Sequence, residues 1–143
     1  MINIYNMDCM KAMKEMSDNQ FDLAIVDPPY GIIESGGQKG GVSEKYKNRA
    51  YTNRSISHWD TKPSKKYFKE LFRVSQNQII WGGNYFVLPP TRGIIFWDKV
   101  QPFETYSKGE LAWTSFSYPA KLFRFDNRYC LLYTSPSPRD SAL

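Results

Sequence analysis

Asp27-Pro28-Pro29-Tyr30 gathers a carboxylate, two prolines and a phenol ring in four consecutive residues. Proline has no backbone N–H and a fixed φ, so this stretch is stiff, rich in acceptors and poor in competing donors. Such a tip suits an amino group on a flat ring. The Asp27 carboxylate and the Pro28 carbonyl accept its two N–H bonds, and Tyr30 stacks on the ring. The same residues also make ordinary turn chemistry, with the tyrosine simply packed. Position favours the first reading. The tetrapeptide follows Phe21 to Val26 (FDLAIV), an apolar run that predicts a buried strand of an α/β sheet. Ligands of open α/β sheets sit beyond the carboxyl ends of their strands.

Other elements must position that tip. Ile2 to Tyr5 predicts a short strand, and Asp8 is placed to cap a helix over Cys9 to Met16. Met10, Met13 and Met16 recur at helical spacing and read as core. Ser17-Asp18-Asn19 reads as a turn. Pro63 to Val74 predicts a helix with Tyr67, Phe68, Leu71, Phe72 and Val74 inward. Gln78 to Trp81, Ile94 to Trp97 and Leu111 to Phe116 read as further strands, with Trp97 and Trp113 in the core. Gly82-Gly83-Asn84 is expected at the same sheet edge as the tetrapeptide. Its glycines either admit a ligand or turn the chain. Ser35 to Gly41 (SGGQKGG) lacks both the strand–turn–helix context and the Lys-Ser/Thr ending of a phosphate loop, and reads as linker.

The chain has 143 residues and a formal net charge of +5, enough for one modest domain. The charge is concentrated. Lys39 to Arg73 holds ten Lys or Arg against three acids. Residues 31–62, which overlap it, read as a mobile basic loop, with Tyr46, Tyr51, His58 and Trp59 interleaved among the cations. Lys45, Lys47, Arg49 and Arg54 are the candidate nucleic-acid contacts, by phosphate neutralisation beside stacking aromatics. A solvated surface loop is the plain alternative. His58 is the only histidine, so neither a Ser-His-Asp triad nor a multi-His metal site is expected. Cys9 and Cys130 give no disulfide framework. With no signal-peptide pattern and no run able to span a bilayer, a cytoplasmic protein without membrane or metal is expected.

Asn3 to Gly31 (NIYNMDCMKAMKEMSDNQFDLAIVDPPYG) looks like the opening of the amino-group DNA methyltransferases with permuted motif order. Asn77 to Phe86 (NQIIWGGNYF), Phe96 to Lys99 (FWDK) and Glu110 to Phe116 (ELAWTSF) resemble the phage-type and bacterial adenine-specific members. The resemblance covers residues 2–129, read as a catalytic-domain fragment. It implies a partial, truncated Rossmann-like fold dependent on S-adenosylmethionine, acting on double-stranded DNA. Asp27, Pro28, Pro29 and Tyr30 would be catalytic, and Asp8 with the Cys9 backbone would meet the adenine part of the donor. The product would be N6-methyladenine. N4-methylcytosine is an alternative, as is a nucleic-acid-binding module without catalysis. Related enzymes with Asn-Pro-Pro-Tyr act on glutamine side chains or RNA, but this chain has Asp27. A restriction, phage or housekeeping setting is left open. The family's glycine-rich donor turn and its His-Pro-Thr-like segment lie near its C-terminus, and neither occurs here. The family's sheet order also leaves the first strand without neighbours and apolar faces open, so the polypeptide as written is expected to be inactive and poorly folded.

Cys130 to Asp140 (CLLYTSPSPRD) looks like transposon-end and adapter sequence from library preparation, read in an open frame. Residues 130–143 are therefore expected to be a non-native tail, to be kept out of fold reasoning. A natural Ser/Pro-rich tail is the alternative.

Overall fold

The computed structural model describes residues 2–31, 60–100, 102 and 107–126. Two helices and five strands run in the order α1 (Cys9–Glu15), β1 (Phe21–Val26), α2 (Lys65–Val74), β2 (Ser75–Trp81), β3 (Ile94–Asp98), β4 (Gly109–Thr114) and β5 (Lys121–Arg124). A short 3₁₀ turn occupies Gly83–Tyr85. The strands form one mixed sheet in the order β1-β2-β4-β3-β5. The architecture is α/β, in line with the sequence reading. The chain divides into two compact units, Met1–Gln78 and Ile79–Leu143.

In the first unit, α1 begins where Asp8 can cap it. Asp8 Oδ1 accepts the N–H groups of Met10 (2.7 Å) and Lys11 (3.2 Å), two of the donors a helix start leaves without intrahelical partners. Of its methionines, Met13 is buried and Met10 and Met16 are half-buried. The apolar face of α2 buries Phe68, Leu71 and Val74, three residues apart at each step and hence on one side of the helix. The helix starts at Lys65 rather than Pro63, with Ser64 at its N-cap.

Arg73, in the last turn of α2, ties the two helices together. Its guanidinium donates to the carbonyls of Met13 (2.6 Å) and Met16 (2.8 Å). These lie at the end of α1, where the Met13 carbonyl also accepts the Met16 N–H (3.2 Å) and later carbonyls lack intrahelical donors. It also pairs with Asp18 (2.7 Å) and Glu70 (2.8 Å). The hydrogen bonds to Glu70 and Asp18 push its pKa above the ordinary arginine value. The Arg73 carbonyl accepts the N–H of Asn19 (2.8 Å), which turns the chain at φ +54°.

Two expectations for this unit are corrected. Ile2 to Tyr5 is not a strand. Ile2 and Ile4 are about nine-tenths exposed, at 89% and 90%, and no strand of the sheet pairs with them. An extended segment without a neighbour has nothing to satisfy its backbone groups but water. β1 keeps its predicted bounds but is not buried. It is the edge of the sheet, and Phe21, Leu23 and Ile25 are all exposed.

In the second unit, β4 runs antiparallel to both neighbours. Ile80 stands opposite Trp113 across β2–β4, and Ile94 opposite the same Trp113 across β3–β4. Ile80 and Ala112 are wholly buried, with Trp113 and Phe86 nearly so. Trp113 donates its ring N–H to the Pro89 carbonyl (2.7 Å). That satisfies the one polar atom of a large core ring. Trp97, expected in the core, is half-buried, and its Nε1 donates to the Phe125 carbonyl (2.9 Å). β5 was not anticipated. It pairs parallel to β3, and all four of its residues are exposed. Its side chains therefore carry no burial pattern from which a strand could be read. Buried Thr114 is satisfied through the Gly93 carbonyl, and in the first unit buried Ser75 and Gln78 are satisfied through the Leu71 and Ser75 carbonyls. Among the described residues, no helix is long and apolar enough to cross a membrane.

Candidate functional site

The tetrapeptide begins directly after the last residue of β1. Asp27 is exposed, Pro28 is buried, and Pro29 and Tyr30 are half-buried. The prolines thus form the floor of the tip, while the carboxylate faces solvent. Tyr30 donates its hydroxyl to Asp27 Oδ1 at 2.7 Å. This short bond fixes the carboxylate and the ring side by side. An ionised carboxylate has about four lone-pair positions, so one phenol donor leaves acceptor capacity for an incoming N–H.

Gly31 holds the tip from below. Its N–H donates to Asp60 Oδ1 (3.1 Å), and Asp60 is buried at 6% exposure. Gly31 takes φ +67°, and a Cβ there would lie 2.9 Å from the Lys62 Cβ. Any other residue would combine backbone strain with a clash. Asp60 is the positioning residue that sequence reading missed. It counted there only as one acid in a basic stretch, and nothing local links it to a partner 29 positions upstream.

Asp8 and Cys9 stand at the start of α1, both exposed. The bonds of the Asp8 side chain go to its own helix, so the capping role is accounted for. The Tyr67 phenol is pushed up to about 12, mainly by burial and further by the Cys9 charge.

Gly82 and Gly83, the other glycine pair, serve the second unit. Gly82 turns the chain at φ +65°. A Cβ on Gly83 would sit 2.5 Å from the Trp113 Cβ, so this glycine admits the tryptophan. Of the two readings open for this pair, the fold uses turning and packing.

Lys45, Lys47, Arg49 and Arg54 lie outside the described residues, as does His58. Among the described residues, no group of three His, Cys, Asp or Glu side chains could hold a metal ion. No protein-family model, curated protein or solved structure matches this chain.

Proposed function

We propose that this chain carries the base-binding part of a DNA amino-methyltransferase of Rossmann-like design, which moves a methyl group from S-adenosylmethionine to N6 of an adenine. The observation that carries the reading is the exposed Asp27 carboxylate directly beyond β1, bonded by the Tyr30 hydroxyl at 2.7 Å. In this reading Asp27 and the Pro28 carbonyl accept the two N–H bonds of the target amino group. Amino nitrogens on aromatic rings are weak nucleophiles because the lone pair is conjugated. Holding both hydrogens out of the ring plane frees that lone pair, and the carboxylate offsets the positive charge that develops on nitrogen. The target atom is out of reach inside a duplex, so the base is extruded at a cost of a few kcal/mol. Tyr30 offers its ring as the stacking surface, and Pro29 keeps the tip rigid. The double-stranded DNA partner would be held by phosphate contacts from Lys45, Lys47, Arg49 and Arg54.

The bound donor supplies an electrophilic methyl carbon. Asp8 and Cys9 suit the adenine edge of that donor. Asp8 caps α1 through Oδ1 alone, which leaves Oδ2 as an acceptor. The first N–H of a helix, here that of Cys9, has no intrahelical acceptor. No residues of this sequence match a glycine-rich turn for the donor's methionine part.

The test compares the product of the whole reading frame in the source DNA with its Asp27→Ala variant. The readout is donor-dependent N6-methyladenine in DNA, quantified by nucleoside mass spectrometry. Removal of one preorganised acceptor is expected to lower the rate by about 10²–10³-fold. Methylation that survives the substitution rules out the role given to Asp27. N4-methylcytosine as the product moves the target to cytosine. DNA binding without methylation by either protein leaves only a binding module.

A further inference from the structure

Within the first unit, α1 and α2 form a groove of about 460 Å³, lined by Met10 and Lys14 from α1 and by Lys66, Lys69, Glu70 and Arg73 from α2. The four α2 residues are spaced three, four and seven apart from Lys66, so they share one face of the helix. That face lies apart from Phe68, Leu71 and Val74, which are buried. Met10 and Lys14 are likewise four apart and share a face of α1.

The charges in this groove divide into two kinds. Arg73 is consumed by the fold: Glu70, Asp18 and the carbonyls of Met13 and Met16 take its donors. Glu70 is in turn neutralised by Arg73. Lys14, Lys66 and Lys69 are exposed and have no acidic partner among the described residues. Three unneutralised ammonium groups therefore line a groove whose two walls the fixed Arg73 guanidinium ties together. Lys66 and Lys69 are offset by about 4.5 Å along α2, and Lys14 stands on the opposite wall. A row of point charges on flexible stems matches a ligand whose negative charge repeats, because each ammonium can find its own anion. A lone phosphate would instead need donors that converge on one point. The aliphatic lysine stems can lie along Met10 while their heads stay in water.

We infer that the α1–α2 groove is a docking site for the phosphate backbone of a nucleic acid, separate from the Asp27 tip and blind to base sequence. Lysine contacts of this type position a duplex and add affinity without reading bases. The inference shares the nucleic-acid ligand of the proposed function but needs no chemistry at Asp27.

The experiment measures equilibrium binding of the 143-residue chain to a random-sequence 30-base-pair duplex at several salt concentrations. The K14Q/K66Q/K69Q variant is compared with K14R/K66R/K69R, which keeps the charges. Each phosphate contact contributes roughly 0.9 to the slope of log K against log salt. The glutamine variant should thus lose about 2 to 3 from that slope, and the arginine variant should keep it. Circular dichroism checks that each variant keeps the secondary structure of the parent chain; the three side chains are exposed. An unchanged slope in the glutamine variant overturns the inference, as does an equal loss in the arginine variant. The readout is salt-dependent binding by the lysines and not methylation, so it does not depend on the role given to Asp27. The groove can therefore stand where the methyltransferase reading fails, and fall where that reading holds.

Discussion

In the first unit a single arginine joins one helix to the next, whereas the second unit is closed by a strand, β4, hydrogen-bonded on both its edges. Both units leave apolar side chains open, Ile2, Ile4 and those of β1 in the first and Val87, Leu122, Phe123 and Phe125 in the second; the first also holds the candidate tip, on the uncovered strand β1. The second buries Ile80, Ala112 and Trp113 in one seam. Packed seams resist local opening because many contacts must break together. Regions held by a few polar ties on an open surface sit at the low-stability end. A rigid acceptor tip on a loosely covered strand therefore needs ties of its own. The Tyr30–Asp27 and Gly31–Asp60 bonds supply them.

The sharpest way to break this comparison is Ile80→Ala. The side chain is fully buried between strands, and its loss should cost about 2–5 kcal/mol, read from urea unfolding. A cost below about 1 kcal/mol, in the range of volume-conserving core changes, would show that the seam is not the anchor of the second unit.

A smaller, more local effect is expected from Arg73→Leu. The carbonyls of Met13 and Met16 lose the guanidinium bonds, Met13 keeping only the Met16 N–H, and Asp18 loses its counter-ion. Amide exchange across Cys9–Glu15 should then accelerate several-fold, while β4 keeps its protection. Equal protection of α1 in both proteins would remove the arginine as the tie between the helices.

The smallest effect concerns alkaline pH. The Tyr67 phenol is raised from the usual 10.0 to about 12 in the folded state, chiefly by burial. The unfolded phenol therefore ionises first. The contribution of Tyr67 is whole below pH 10 and declines until the folded group also ionises near pH 12. Stability measured across this window should fall less steeply in Tyr67→Phe. Identical slopes in the two proteins would mean that the α1–α2 packing does not shelter the ring.

Much of the framework was legible along the chain because its causes are local. The FDLAIV run, the Asp8 cap and the three-residue spacing of Phe68, Leu71 and Val74 each act within a few positions, so α1, β1 and α2 could be read from residue types alone. β5 escaped notice because its side chains are exposed and its identity rests on backbone pairing with β3. The burial expected of β1 failed for a related reason. An apolar run states a preference for cover, and only neighbouring strands can provide it.

By itself, the sequence determined the composition of the tip: an acid, two residues without backbone donors and a ring, placed where a strand must end. Chain chemistry alone dictates that stiffness and that surplus of acceptors. Tertiary structure decided that Asp27 faces solvent, that the Tyr30 hydroxyl is spent on it, and that Asp60 secures Gly31 from 29 residues away. It also brought Lys14 into one groove with Lys66 and Lys69. Contacts between distant residues form only once folding has closed the intervening loops, and no local propensity encodes them.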